Sequence, residues 1–364
     1  MKIIISDYHI GTTMWQKAML ECLGHSVIIK TLSSHAHYLD NKTIFIDDFF
    51  KNIGNLNKEQ VEYEFNRKYS DVTHILCGFP PKRVEDFKYV PERVKIILNI
   101  AHRIHIHLKS YEYDYFMNKL IDYSKNNKYI LATMSEYDYQ YVKYYTNIDT
   151  LKLFVTCLHL PKNVKYNPSS NIILIGPTNN NNTLINFNNL NEINQNSIMF
   201  SQIYNKNPFF FNFIKNVYPE TNLEYLTNHP AILIFPYSAF SISMVELYQL
   251  NIPLIFPSNE LLKGKMNDVK LFPIYNEDKN FIIDFNNKYK KEIPSPNSFN
   301  PEEELFWFRF MYFNQVKNIL KYHNNNHLFE IIYNTDFNFI NNKMIMENSI
   351  AIEEGKNNWI KIFN

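Results

Sequence analysis

Three serines and one glutamate in the second half of the chain have the spacing of a phosphate-binding turn. Ser238, Ser241 and Ser243 follow the apolar run 231–235, and Glu246 comes three residues after the last of them. Serine hydroxyls and the backbone N–H groups at the start of a helix bind phosphate oxygens. A diphosphate is therefore the ligand that this turn predicts, and Glu246 stands one helical turn further on, within reach of a ribose hydroxyl pair.

The segments on either side of this turn are typical of a parallel α/β sheet. Residues 231–235 predict a buried strand, residues 244–250 an apolar-periodic helix, and residues 252–256 the next buried strand. The turn, which also includes Tyr237 and Ile242, then lies at the carboxyl end of a strand, where α/β proteins bind ligands. The alternative is that the serines only cap the helix and that the glutamate is merely exposed.

The block 231–257 resembles the nucleotide-sugar site in the C-terminal domain of GT-B glycosyltransferases. Many retaining members have two glutamates separated by seven residues, as Ser238 and Glu246 are here. The resemblance implies a nucleoside-diphosphate sugar as the donor substrate, with UDP, GDP and dTDP undetermined, and no further cofactor. Because a serine stands in the first position, the resemblance leaves open whether the reaction inverts or retains configuration.

The amino-terminal region opens in the pattern of a Rossmann-like domain. A strand over 2–6 is followed by a polar loop, an apolar-periodic helix that ends at Gly24, and a second strand. This opening is similar to that of GT-B N-terminal domains, whose first loop borders the acceptor cleft. A second opening of the same kind is predicted at the strand 171–175, and its loop adds Gly176 and Thr178 to the predicted donor-binding residues.

We therefore predict an α/β fold with two Rossmann-like domains facing across a cleft, the GT-B architecture. The predicted domains are an acceptor-side domain over 1–162 and a nucleotide-sugar-binding domain over 170–300, joined by the polar linker 163–170. An aromatic helix over 301–322 either crosses back to the first domain or belongs to the core of the second. Residues 323–364 form an extension without an assignment.

The segment 131–148 is similar to glycosyltransferases of large DNA viruses and algae. In those proteins a strand is followed by the pattern Tyr-Asp-x-x-Tyr-x-x-Tyr-Tyr-Thr, which is present here. The chain uses Asn, Lys, Ile, Tyr and Phe heavily and has only 7 glycines, as AT-rich coding produces. The tyrosines of residues 137–145 either stack on a sugar or form the buried side of a helix.

Two histidines and an arginine are the candidates for catalysis. His102 and Arg103 directly follow the apolar strand 95–101, where a histidine can act as a base and an arginine can pair with a phosphate or an anionic acceptor. The alternative is a structural hydrogen-bonded pair. His9 and Asp7 in the first loop are the rivals, because in inverting GT-B enzymes a histidine on this loop, oriented by an aspartate, often serves as the base. The sequence does not identify which aspartate would be its partner.

The sequence lacks the pattern of a metal-dependent transferase. The Asp-x-Asp motif of GT-A enzymes is absent, and its nearest imitations, Glu-Tyr-Asp at 112–114 and 136–138, are expected on helix surfaces. The alternating histidines at 35/37 and 105/107 could each share a strand face, but no third ligand stands at a recognisable spacing. We predict metal-independent chemistry, in which backbone dipoles take the place of the ion.

The charge of the diphosphate has few candidate partners in the sequence. Residues 176–190 contain no lysine or arginine, although many relatives place one on this loop. The charge is therefore expected to fall to the helix start, to the serine hydroxyls, or to Lys263 or Lys265.

Composition excludes several other classes of protein. A net charge of +1 argues against general nucleic-acid binding. The three cysteines are far apart in the chain, and no apolar stretch reaches the roughly 18 residues that span a bilayer. Because the chain begins directly with a strand, we expect a cytoplasmic protein with reduced thiols and no transmembrane segment.

These observations predict a glycosyltransferase that moves a sugar from a nucleoside-diphosphate sugar to a glycan or another hydroxyl acceptor. A nucleotide-sugar 2-epimerase shares the fold and is the alternative enzyme. A non-catalytic module that binds sugar nucleotides is the third possibility, because the loop after Gly176 lacks a basic residue and Ser238 replaces a glutamate.

Overall fold

The computed structural model shows an α/β protein with two parallel sheets, each in its own compact unit. Unit 1 comprises Met1–His159 together with Ala351–Asn364, and unit 2 comprises Leu160–Ile350. The predicted fold class, two Rossmann-like α/β units, is confirmed. The structure describes residues 1–33, 48–101, 103–153, 155–176, 190–218, 223–264 and 278–363.

Unit 1 is built on a six-stranded parallel sheet with the strand order β2-β1-β3-β4-β5-β6. Its central strands are almost wholly apolar because helices cover both faces of such a sheet. Ile3, Ile4 and Ile5, for example, are completely buried. The strands are β1 (Lys2–Ile5), β2 (Ser26–Ile29), β3 (His74–Cys77), β4 (Lys95–Ile100), β5 (Tyr129–Thr133) and β6 (Leu151–Lys152).

Several helices of unit 1 begin or end at residues with recognisable caps. Asn57 and Gln60 form a capping box at the start of the third helix, and Asn147 ends the fifth in a left-handed conformation. The helices are α1 (Ile10–Cys22), α2 (Asp48–Asn52), α3 (Lys58–Lys68), α4 (Tyr113–Ser124) and α5 (Glu136–Thr146), with 3-10 turns at Ile53–Asn55, Pro81–Phe87 and Ser110–Glu112.

The tyrosines of α5 lie in the core of unit 1. Tyr137, Tyr141, Tyr144 and Tyr145 are buried, and the last three form successive aromatic contacts at centroid distances of 4.9 Å. Of the two interpretations of this segment, helix core is confirmed for these four.

Unit 2 contains a five-stranded parallel sheet with the order β11-β10-β9-β7-β8. As in unit 1, the first strand lies between the second and the third, so both sheets reverse direction of winding beside their first strand. The strands are β7 (Ile172–Ile175), β8 (Phe210–Phe213), β9 (Ile232–Leu233), β10 (Leu254–Pro257) and β11 (Leu320–Tyr322).

Several helices of unit 2 are single turns. The helices are α6 (Leu190–Ile203), α7 (Ile214–Val217), α8 (Leu223–Leu226), α9 (Ile242–Gln249), α10 (Asn259–Leu262), α11 (Lys279–Lys288), α12 (Pro301–Phe308), α13 (Tyr312–Gln315), α14 (Asn325–Asn334) and the first part of α15 (Phe337–Phe363).

The prediction of one long helix over 301–322 is wrong. The segment consists of α12, the single turn α13 and the strand β11, all within unit 2. The chain leaves the helical path at Met311, which is extended, and the next residue, Tyr312, donates its backbone N–H to the carbonyl of Ala239 at 2.9 Å. Packing against a distant turn therefore overrides the local helical pattern.

The helix that belongs to both units is α15, in the extension that the sequence left unassigned. Its residues up to Ile350 belong to unit 2 and those from Ala351 belong to unit 1. In unit 1, Trp359 packs edge-on against Trp15 at a centroid distance of 5.6 Å, and both rings are fully buried. Asparagines interrupt the apolar residues of α15, so the sequence pattern did not indicate that this helix packs into a core.

The unit boundary also differs from the predicted one. Residues 163–170, predicted as a linker, belong to unit 2, where Asn167 donates its backbone N–H to the carbonyl of Thr227 and Ser169 and Ser170 donate to that of Asn228. The polar composition of residues 163–170 therefore does not mark a linker, because the backbone of this segment is hydrogen-bonded within unit 2.

We expect Trp359→Ala to destabilise the protein by about 3–5 kcal/mol, because it removes a fully buried aromatic side chain and leaves a cavity against Trp15. Ile360→Ala, on the exposed side of the same helix, is the matched control and should change stability by about 0.5 kcal/mol or less. Urea denaturation followed by far-UV circular dichroism measures both. Equal losses in the two variants would mean that α15 does not anchor unit 1 through this contact.

Candidate functional site

The turn between β9 and α9 brings the predicted serines together. Ser238 and Ser241 are buried, whereas Tyr237 between the strand and the helix is exposed. Ser241 has the extended backbone of an N-cap residue, but its hydroxyl pairs with the hydroxyl of Tyr237 and not with a helix amide. Ser238 donates its hydroxyl to the carbonyl of Phe240 at 2.6 Å. For these two serines, the interpretation as simple caps is therefore wrong.

The start of α9 presents backbone donors to this turn. The backbone N–H groups of Met244 and Val245 both donate to the carbonyl of Ser241, at 3.1 and 3.3 Å. A helix has no internal acceptors for its first N–H groups, which here belong to Ile242 and Ser243. Both residues are partly exposed, so an anion can approach these two donors.

Gly176 stands beside this turn at the point where the sheet changes winding direction. Its backbone N–H donates to the carbonyl of Leu233 at 3.0 Å, so the loop after β7 begins next to the end of β9. The φ of Gly176 is 143°, a conformation that side-chain-bearing residues rarely adopt. Thr178, predicted on the same loop, lies outside the described residues.

Tyr312, which the sequence did not indicate as part of the site, packs against this turn. Besides its bond to Ala239, Tyr312 packs its ring edge-on against Phe240 at 5.7 Å and against Tyr248 at 6.3 Å. Glu246 lies one turn into α9 and is partly exposed. The aromatic richness of residues 306–313 was the only sequence signal for this support, and it also fits an ordinary core helix.

Lys263 is already paired with carboxylates. Its ammonium lies beside Glu302 and 4.0 Å from Glu260, and the hydrogen bond to Glu302 raises the pKa of Lys263 above its ordinary value. This pairing does not favour Lys263 as the partner of a diphosphate. Lys265 lies outside the described residues.

In unit 1, a single carboxylate joins the loops that follow β1 and β3. Asp7 accepts the backbone N–H of His9 at 2.9 Å and that of Phe79 at 3.1 Å. Between these loops, a side chain at Gly78 would come within 2.0 Å of the carbonyl of Asn99 and 3.3 Å of the Asp7 carboxylate, so only glycine fits. Asp7 is 1% exposed.

The burial of Asp7 has an electrostatic consequence. Burial raises the pKa of Asp7 from 3.8 to about 7, and the backbone N–H groups of His9 and Phe79 and the charge of Arg83 oppose this rise. A carboxyl with such a pKa can exchange a proton near neutral pH.

His9 is the N-cap of α1, and this fixes its neutral tautomer. Its Nδ1 accepts the backbone N–H of Thr12 at 3.3 Å, so in the neutral ring the proton resides on Nε2. Asp7 binds the backbone of His9, not its ring. The arrangement in which an aspartate orients the imidazole is therefore not supplied by Asp7.

Arg103 lies in the interior of unit 1 with Asp138, which the sequence placed on a helix surface. That placement is wrong: Asp138 is 3% exposed and accepts the hydroxyl of Ser135 at 2.6 Å. Burial raises the pKa of Asp138 to about 7, against the Ser135 hydrogen bond and the charge of Arg103. Arg103 is also buried, so the structural alternative fits it better than phosphate binding. His102 lies outside the described residues.

The histidines at 105 and 107 do not share a strand face. They lie in the turn that follows β4, where His105 is buried with its Nδ1 2.7 Å from the hydroxyl of Tyr141, and burial lowers its pKa to about 3. His107 is exposed. The pair at 35 and 37 lies outside the described residues. Within the described part of the chain, no group of three or more His, Cys, Asp or Glu side chains is arranged to hold a metal ion.

None of the described helices is both long enough and apolar enough to cross a membrane.

Comparisons with known proteins give similarity at the level of the fold only. No family model matches the chain, and no curated protein matches it. Among solved structures, the chain is similar to the glycosyltransferase SnogD from Streptomyces nogalater, with 10% identity and a TM-score of 0.35 over 97% of each chain. It is also similar to S. aureus MnaA, solved with UDP, with 12% identity and a TM-score of 0.37 over 89% of this chain and 100% of that one. Values this low carry no argument about function.

The raised pKa of Asp138 predicts a dependence of stability on pH. The folded protein binds this proton more tightly than the unfolded chain, so the contribution of Asp138 to stability falls as the pH rises from about 4 to about 7. Asp138→Asn keeps an acceptor for Ser135 but cannot ionise. Its stability relative to the parent should therefore increase over this range, by at most about 4 kcal/mol at roughly 1.4 kcal/mol per pH unit.

Urea midpoints at about pH 5 and about pH 8 test this expectation. Asp122→Asn, which removes an exposed carboxylate from α4 of the same unit, is the control for the general effect of charge. If both variants change with pH in the same way, the carboxyl of Asp138 does not take up a proton in the folded state.

Proposed function

We propose that the protein is a metal-independent glycosyltransferase that binds the diphosphate of a nucleoside-diphosphate sugar at the start of α9. The observation that carries the proposal is the arrangement of side chains and backbone N–H groups at the start of α9. Its N-cap serine is engaged with Tyr237, and the residues that carry the first amides are partly exposed, at the switch point of the sheet. The layout of the block 231–257, which resembles a nucleotide-sugar site, agrees with this position.

The chemistry of sugar transfer fits these donors. The bond between the anomeric carbon and the diphosphate oxygen breaks, the acceptor oxygen bonds to that carbon, and the acceptor proton passes to a base. Negative charge grows on the leaving diphosphate. Fixed N–H groups and the positive end of a helix dipole stabilise that charge without reorganising during the reaction. This is the contribution that we assign to Ile242, Ser243 and the N-terminus of α9.

Glu246 is proposed to bind the ribose hydroxyls. It follows Ile242 by four residues and so lies one turn into α9, on the same face as the Ile242 position. A carboxylate that accepts two hydroxyl groups distinguishes a ribonucleotide from a sugar phosphate without ribose.

We expect Glu246→Ala to weaken binding of the correct nucleoside diphosphate about tenfold to a hundredfold, because a hydrogen bond to a charged acceptor is worth about 1.5–3 kcal/mol. Ser243→Ala should weaken it less, by about 0.5–1.5 kcal/mol, because the backbone donors remain. Isothermal titration with UDP, GDP and dTDP measures both variants.

Glu330→Ala is the matched control, since it removes an exposed glutamate from α14 in the same unit. The control should bind like the parent. Unchanged affinity in Glu246→Ala, with the circular dichroism spectrum intact, would place the ribose elsewhere.

Transfer activity is expected to survive EDTA. The chain contains no Asp-x-Asp motif, and the proposed stabilisation of the leaving group uses backbone donors. Rates measured with and without EDTA, and after readdition of Mg²⁺ or Mn²⁺, test this point. A strict requirement for either ion would contradict the proposed mechanism.

The alternative functions give different products from the same assay. Incubation with a panel of labelled sugar nucleotides, with and without hydroxyl acceptors, reports transfer or hydrolysis for a transferase. A 2-epimerase would convert one sugar nucleotide into another without an acceptor. A binding module would retain the nucleotide unchanged, and either result would replace the proposal.

A further inference from the structure

Three rings from three separate loops meet at the carboxyl edge of the unit 1 sheet. Phe79 contacts His9 at a centroid distance of 5.7 Å and His107 at 5.3 Å. His9 follows β1, Phe79 follows β3 and His107 follows β4, and we call these three residues the ring trio. His107 is exposed, and Phe79 and His9 are partly exposed. The trio is therefore partly accessible to solvent, at the edge where open α/β sheets bind ligands.

The backbone beneath the ring trio is held in an unusual way. The Asp7 carboxylate accepts the N–H groups of both His9 and Phe79, so one buried group sets the positions of two of the rings. His107 has a φ of 62°, in the left-handed region that residues with side chains seldom occupy. Such conformations are retained where the surroundings enforce them, often at functional sites.

The angles between the rings limit what can stack there. The planes of His9 and His107 lie at 74° and 81° to that of Phe79, so neither imidazole extends the flat face of the Phe79 ring. A fused polycyclic compound needs a wider face. One pyranose ring matches this width, and imidazole nitrogens beside it can donate to or accept from its hydroxyl groups.

The charges nearby favour a neutral ligand. Arg83 pairs with Asp86 and donates to the carbonyl of Phe50 at 2.7 Å, and Lys82 pairs with Glu112. These cations already have anionic or carbonyl partners, so the described surroundings of the trio offer little to attract an acidic sugar.

We propose that the ring trio is a carbohydrate-binding subsite that accepts one neutral pyranose residue. The proposal rests on the proposed function only in naming this sugar as the acceptor; binding itself requires no donor.

Saturation-transfer NMR on the full chain tests the subsite with the methyl glycosides of glucose, galactose, mannose and N-acetylglucosamine. We expect at least one glycoside to bind the parent protein. Phe79→Leu should weaken that binding about tenfold, equivalent to roughly 1.4 kcal/mol. His107→Gly, which deletes an imidazole where glycine suits the backbone, should also weaken it. Tyr63→Leu, an exposed aromatic on α3, should not.

A parallel titration with UDP, GDP and dTDP separates the two proposals. Loss of sugar binding with nucleotide binding intact in Phe79→Leu supports the subsite. Failure of all nucleotides to bind the parent would overturn the proposed donor site and leave the sugar experiment valid. Absence of binding by every glycoside, or equal effects of Phe79→Leu and Tyr63→Leu, would overturn the subsite.

Discussion

Each sheet places its first strand between its second and third, and this constraint determines where polar groups can collect. Right-handed crossovers carry the chain to opposite faces of the sheet from that strand, so the loops at its carboxyl end diverge and leave room. In unit 1 the room is bordered by Asp7, Phe79 and their neighbours. In unit 2 it is bordered by Gly176 and the serine turn. The candidate chemistry in both units follows from the same strand order.

The two edges differ in their electrostatics. Among its described residues, unit 1 buries two carboxyl groups, Asp7 and Asp138, and burial raises the pKa of each to about 7. Such groups cost stability when ionised, which is common where a site is arranged for function. Unit 2 instead offers hydroxyls and amides at its turn, while Lys263 is paired with acidic side chains. An anion there would be held by dipoles, whose effect changes little with pH.

Asparagine has two roles in this chain. Its high frequency is a bias of composition, yet particular asparagines anchor α15 within unit 2. Asn348 donates to the carbonyl of Tyr248 at 2.9 Å and to the side chain of Asn251 at 2.6 Å, and Asn341 donates to the carbonyl of Asn251 at 2.7 Å. Asn251 has a φ of 59° at the end of α9, where its side chain and backbone both become available. Asparagines that are frequent because of compositional bias therefore also make the hydrogen bonds that hold α15 within unit 2.

The sequence by itself determined the features that depend on short-range patterns. Apolar runs identified β1, β2, β4, β7, β9 and β10, Gly24 marked the end of α1, and the spacing of the α5 tyrosines indicated a core face. The serine turn was located because a strand, a turn and a helix follow one another within a few residues. Such patterns report the period and the caps of an element, which act locally.

Tertiary structure decided which polar groups are buried and what they contact. Asp7 and Phe79 are 72 positions apart, yet one hydrogen bond joins them and shapes the edge of unit 1. Likewise, Tyr312 leaves the helix predicted over 301–322 and bonds to Ala239, and Asp138 is buried in the interior, where the charge of the distant Arg103 acts on it. Burial and pairing depend on neighbours that the fold assembles from distant segments, and no local period records them.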